Sequence, residues 1–158
     1  QRVEDHFVSV EVGPWLTFAF RGAVFALAFI ATELLSNKRV IILSNLLEVV
    51  DERMINFPKY WEQYYDFSEQ ENKLKRKYSY SDRIRYYWAD NIVNESLQRL
   101  IHNLTENKIP HILLSQYLPA EYFAIREGVL SENPEEIILH KISNVLEIYN
   151  FATYGGVN

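Results

Sequence analysis

"FVSVEVGPWLTFAFRGAVFALAFIATELL", Phe7 to Leu35, carries two periodicities in succession. From Phe7 to Val12 the pattern alternates: Val8, Val10 and Val12 share one side, Ser9 and Glu11 the other. A period of two predicts a strand. Gly13-Pro14 ends it, and proline suits the first turn of a helix. The helix predicted from Pro14 to about Leu35 has apolar residues on far more than one stripe, which predicts burial on most sides. Its most apolar part, "GAVFALAFIA" from Gly22 to Ala31, is only ten residues long and lies between Arg21 and Glu33. A membrane-spanning helix needs about 20, so a buried core helix is expected. Gly22 inside it costs about 1 kcal/mol relative to alanine.

The rest of the chain places this segment in a domain that is otherwise helical. Its 158 residues suffice for one domain with a core, and 48% hydrophobic with 23% charged residues is ordinary for a globular protein. Sixteen Lys and Arg against 21 Asp and Glu, a net charge of -5, argue against general binding to nucleic acid or anionic membrane. The absence of cysteine excludes disulfides, thiolate nucleophiles and thiolate metal sites, and fits a cytoplasmic protein. The chain opens on Gln1 without a charged-then-apolar leader, so a trimmed or partial chain without a secretory signal is expected.

Punctuation residues outline the helices. Asn45 with Glu48 reads as a capping pair for a helix to about Ile55. "KYWEQYYDF" after Pro58 reads as a short aromatic helix, and "SEQENKLKRK", Ser68 to Lys77, as a solvated connection. Asp90 can cap a helix from Asn91 to about Glu106, and Pro110 breaks the pattern. Pro119 opens a helix that Gly128 stops, and Asn133-Pro134 opens the last, with Ile137, Ile138, Ile142, Val145, Leu146 and Tyr149 on its inner face. One strand and about six helices result. A lone strand leaves its backbone groups without partners.

Two stretches carry candidate chemistry. In "VGPWLT", Val12 to Thr17, a strand end, a tight turn and a helix N-terminus make a possible anion site; an ordinary strand-to-helix connection has the same pattern. In "YSYSDRIRYYW", Tyr78 to Trp88, Ser79 or Ser81 is a candidate N-cap, and Arg83 or Arg85 could clamp a phosphate or carboxylate. Alternatively Asp82 pairs with an arginine while Tyr86, Tyr87 and Trp88 pack a core, and a helix would put Asp82, Arg85 and Tyr86 on one face. The residue types alone favour packing. His6, His102, His111 and His140 lack the spacing of a helical zinc site, and no phosphate-binding glycine motif is present.

"HFVSVEVGPWLTFAFRGAVFALAFIATELL", "PKYWEQYY", "YSYSDRIRYYW" and "SQYLP", in this order and spacing, resemble the C-terminal part of the GatZ/KbaZ family, the Z subunit of D-tagatose-1,6-bisphosphate aldolase. The resemblance covers almost the whole chain. It implies a mainly α chain that forms the last βα unit and the C-terminal helical extension of a class II aldolase-like (β/α)8 TIM barrel. Residues 1–35 would be the eighth strand and helix, and 36–158 the extension. A complete barrel takes about 250 residues, so the chain reads as a C-terminal fragment without the other strands and without the family's GDHLGP-type segment.

The same resemblance implies a non-catalytic subunit, with no cofactor of its own, that supports the stability and full activity of a catalytic zinc-dependent Y subunit. That enzyme cleaves tagatose 1,6-bisphosphate to glycerone phosphate and glyceraldehyde 3-phosphate in galactitol and N-acetylgalactosamine breakdown. Family members also carry the label tagatose-6-phosphate kinase, for which this sequence offers no nucleotide site. Candidate ligand or subunit contacts are Val12, Gly13, Pro14 and Thr17 at the barrel mouth, where a sugar phosphate is the candidate ligand, and Asp82, Arg83, Arg85 and Gln116 beyond it. Two positions depart from the family pattern: Glu11 stands where lysine is usual, and Gly22 where glutamate is. Both fit relaxed constraint. The rival expectations are a sugar-phosphate enzyme, a freestanding helical module and a non-functional remnant.

Overall fold

The computed structural model describes the backbone of residues 2–154 and the side chains of residues 14–148. Among the described residues seven α-helices follow one another: α1 Arg2–Leu35, α2 Leu46–Asn56, α3 Glu69–Tyr78, α4 Asn91–Glu106, α5 His111–Tyr117, α6 Pro119–Arg126 and α7 Pro134–Tyr154. Two short 3-10 turns, Pro58–Tyr60 and Arg83–Tyr87, flank α3. Helix α1 packs along α7 and also meets α2, α4 and α5, so it is the central rod.

The described residues contain no strand, which corrects the reading of Phe7 to Val12. That stretch lies inside α1, with Pro14 in the helix interior. The physical reason is the one already noted: a strand needs a neighbour for its N–H and C=O groups, and a helix pairs them within itself. The expected helix start at Pro14 disappears with the strand.

Burial of α1 matches its composition. Ala23, Val24, Phe25, Ala26, Leu27 and Ala28 are all buried in sequence, which a single-stripe helix could not achieve. Pro14–Leu35 is long and apolar enough to cross a membrane, but 61% of that apolar window is buried inside the protein. Val50 and Met54 of α2, Val93, Leu100 and Leu104 of α4, Leu114 of α5 and Ile137 of α7 complete the core.

Side-chain caps start α3, α4 and α7. The Asp90 carboxylate accepts from the Ile92 and Val93 amides at 3.0 and 3.3 Å, as its position predicted. Asn133 does the same for Glu135 and Glu136 at 2.8 and 3.2 Å. Gly128, at φ 74°, closes α6 in the left-handed region. Asn45 does not form the expected capping pair: it is left-handed, at φ 49°, and its side chain makes no cap bond. Ser68–Lys77 is not a solvated connection. Ser68 and Glu71 form a capping box at the start of α3, which buries Arg76. "KYWEQYYDF" forms only a 3-10 turn and following turns. Helix α5, between two prolines, was not anticipated.

Candidate functional site

The candidate cluster begins with one charge on the apolar rod. Arg21 is only 4% exposed. Its Nη1 donates to Asp82 Oδ1 at 2.9 Å and to the Ser79 carbonyl at 2.9 Å, and Nη2 reaches the Tyr78 carbonyl at 3.4 Å. The guanidinium thus closes the C-terminal end of α3, where free carbonyls favour a cation. Beneath it lies the Phe18 ring, 4.3 Å from the guanidinium carbon.

Asp82 receives this contact because of local backbone geometry. It adopts the left-handed conformation at φ 48°, which aspartate tolerates better than most residues, and starts the turn Arg83–Tyr87. Its amide bonds the Ser79 carbonyl and its own carbonyl accepts from the Arg85 amide. The side chain is fully buried, and Oδ2 has no hydrogen-bond partner. Burial pushes the Asp82 carboxyl up, against the opposing influence of Thr17, Arg21 and Arg85. Burial likewise lowers Arg21, against Asp82. Burial thus works against both charges, and the attraction between the partners offsets only part of it.

The rest of "YSYSDRIRYYW" divides between core and surface. Ile84 and Tyr87 are buried, and Trp88 packs edge-on to Phe20 at 5.2 Å and Phe25 at 6.3 Å. Arg83 lies over Tyr64 at 3.5 Å, and Arg85 donates to the Ser81 carbonyl at 3.0 Å and the Tyr86 hydroxyl at 2.8 Å. The segment is a 3-10 turn, not an α-helix, so the expected common face of Asp82, Arg85 and Tyr86 does not form. Neither Ser79 nor Ser81 caps it: Asp82 holds that position.

Of the barrel-mouth candidates whose side chains are described, Thr17 comes near this cluster, where it favours the charged form of Asp82. The surroundings of Val12 and Gly13 lie outside what the structure describes. Pro14 is exposed, and the Thr17 hydroxyl donates to its carbonyl at 3.1 Å. Because α1 runs straight through Gly13-Pro14, no helix N-terminus stands there to receive an anion. Gln116 is exposed on α5, and among the described residues no hydrogen bond joins it to Arg21 or Asp82. The structure therefore unites Asp82 with Arg21, a residue the sequence reading used only to bound an apolar run. A lone arginine inside "FAFRGAVF" was the available signal.

Beside the pair runs an open groove of about 490 Å³, lined by Arg21, Gly22 and the rings of Phe18, Phe25, Tyr78 and Tyr80. Elsewhere carboxylates serve as structural ties. Arg76 binds Asp51 at 2.6 Å and Glu69 at 2.8 Å; burial opposes its charge, but the two carboxylates more than offset that and raise it. Arg53 holds Asp90 at 2.6 Å. His111 meets Glu132 and His140 meets Glu121, one carboxylate each. Among the described residues no three His, Asp or Glu side chains converge as metal ligands would.

Comparison with known proteins adds two findings. A crystal structure of a probable tagatose 6 phosphate kinase from Sinorhizobium meliloti 1021 superposes with a TM-score of 0.77 at 36% identity, covering 86% of this chain and 34% of that one. This chain thus spans about a third of the length of that relative. The family model for "D-tagatose-1,6-bisphosphate aldolase subunit GatZ/KbaZ-like" matches residues 1–154. A match of that extent means that the chain belongs to the GatZ/KbaZ-like family of D-tagatose-1,6-bisphosphate aldolase subunits.

Proposed function

We propose that this chain is the C-terminal part of a non-catalytic aldolase subunit that supports a separate, zinc-dependent catalytic subunit. The observation that carries the reading is the family match over 1–154. The use of charge is in keeping with it. Asp82, Asp51 and Asp90 are each committed to an arginine, an arrangement that holds helices together. In this reading the chain acts in the cytoplasm, the reaction belongs to the partner, and tagatose 1,6-bisphosphate of galactitol and N-acetylgalactosamine breakdown is its substrate. The appended helices would pack on a TIM barrel whose strands come from outside this chain.

The test is co-expression with the catalytic subunit and an assay of tagatose-1,6-bisphosphate cleavage, with the catalytic subunit alone and with a full-length Z subunit as controls. A gain in activity or lifetime is expected. No gain, with rescue by the full-length subunit, would assign the support to the barrel and make this chain a remnant. The printed name of the Sinorhizobium relative favours a second reading, a sugar-phosphate kinase. ATP-dependent phosphorylation of tagatose 6-phosphate by this chain would establish it.

A further inference from the structure

The turn Pro58–Tyr60, the loop after it and the turn Arg83–Tyr87 together present a strip of rings and cations. Tyr60, Tyr64 and Tyr86 are 40, 48 and 43% exposed. Tyr60 stacks on Tyr86 at 4.8 Å. Arg83 lies over Tyr64 at 3.5 Å, Arg85 over Tyr86 at 4.6 Å and Lys59 near Tyr60 at 5.5 Å. Neighbouring residues fix the strip from below: Trp61, Tyr65, Ile84 and Tyr87 are buried. The exposed rings are therefore held in place before any contact is made, which removes much of the ordering cost of binding.

Charge selects the partner. Among the described residues neither Arg83 nor Arg85 has a carboxylate partner, although the chain carries a net -5. Asp82, adjacent in sequence to Arg83, is buried on Arg21. Glu62 and Asp66 share the loop with Tyr64 yet pair with none of the cations. Arg83 Nε is buried, so a partner's carboxylate would meet Arg83 at its Nη groups. Tyrosine with arginine is the composition of protein interface hot spots. Arg85 already gives one bond from each Nη, to the Ser81 carbonyl and the Tyr86 hydroxyl, so a carboxylate would take the remaining Nη hydrogens of the two guanidiniums.

We infer that this strip docks an acidic segment of a partner protein, its carboxylates on Arg83 and Arg85 and its apolar side chains against Tyr60, Tyr64 and Tyr86. The inference rests on the reading of the chain as an assembling subunit and names the surface that assembles. The two fail separately, because the co-expression assay reads support of activity whichever surface docks.

The test titrates the full chain with an end-blocked peptide alternating Glu and Leu and follows tyrosine and tryptophan fluorescence. Saturable binding is expected, weakening as salt rises and weaker by about tenfold in R83Q/R85Q. The matching Lys and Leu peptide should bind R83E/R85E and not the original chain. Should the arginine variants lose their circular dichroism, Tyr64→Ala, which removes one exposed ring, must weaken binding by itself. Absence of saturable binding, or binding that ignores all these substitutions, would overturn the inference. So would inorganic phosphate displacing the peptide at equal ionic strength, which would make the strip a phosphate site. A dimer in sedimentation equilibrium that R83Q/R85Q dissolves would assign the strip to a second copy instead.

Discussion

Replacing Arg21 with methionine tests the central pair directly. The substitution keeps a long apolar stem but removes the donor that Asp82 Oδ1 uses at 2.9 Å and the two carbonyl contacts at the end of α3. Asp82 is already fully buried with Oδ2 unpartnered, so the variant leaves a carboxylate away from solvent with only Thr17 and Arg85 favouring its charge. Breaking a buried pair in this way costs about 3–5 kcal/mol, much of the total stability of a domain of this size. The loss depends on pH with a definite sign. Asp82 is raised in the folded state, so the folded protein binds its proton more tightly than the unfolded chain does. That contribution disfavours folding as pH climbs above the ordinary aspartate value, and removing Arg21 raises the group further. R21M should therefore be closest to the parent near about pH 4 and fall away toward neutrality, by at most about 1.4 kcal/mol per pH unit. Urea denaturation at both pH values measures this. The double variant R21M/D82N should recover much of the loss at neutral pH, since asparagine tolerates the left-handed backbone at position 82. An R21M cost below about 1 kcal/mol, with no recovery in the double variant, would refute the account of a poorly compensated buried carboxylate.

Two glycines should respond in opposite directions. At Gly22 an added Cβ meets only the flexible end of Lys141 at 3.4 Å, so Gly22→Ala should stabilise by about 1 kcal/mol and raise Tm by about 2–4 °C in differential scanning calorimetry. Gly128 sits at φ 74°, so Gly128→Ala should destabilise by about 1 kcal/mol although nothing blocks the methyl. The Arg53 guanidinium is the first cause holding the Asp90 carboxyl below its ordinary range. Its contribution is present above the unfolded carboxylate value, about pH 4, and is lost as pH falls through the folded value. Asp90→Asn, which keeps a capping side chain, should flatten the acid limb of stability against pH.

What could be read in advance depended on the range of the interaction. Asp90, Pro119, Gly128 and Asn133-Pro134 act within a few residues of themselves, and each marks a boundary seen in the fold. The crowded apolar faces of α1 likewise announced burial on most sides. Phe7–Val12 misled because alternation describes a strand only when a neighbouring strand exists to pair with it. Asn45 has the residue type of a cap but not the backbone angles. Ser68 and Glu71 have the spacing of a capping box, but they lie in a stretch whose density of charge reads as solvated surface. Arg21 with Asp82 was out of reach: the partners are 61 residues apart, and no local pattern states which distant carboxylate a buried arginine will find.

Arg76 is the only buried residue of α3. This ten-residue helix thus docks mainly through polar ties, Arg76 to Asp51 and its C-terminal carbonyls to Arg21, with the Tyr78 ring edge-on to Phe25 as its aromatic contact. In native-state hydrogen exchange its amides should behave as one small cooperative unit, opening together at a lower free energy than those of α4, which buries Val93, Leu97, Leu100 and Leu104. Such an opening exposes little apolar surface and so carries little heat capacity. Detachment of α3 then varies with temperature along a nearly straight line, while unfolding of the whole domain follows a curve.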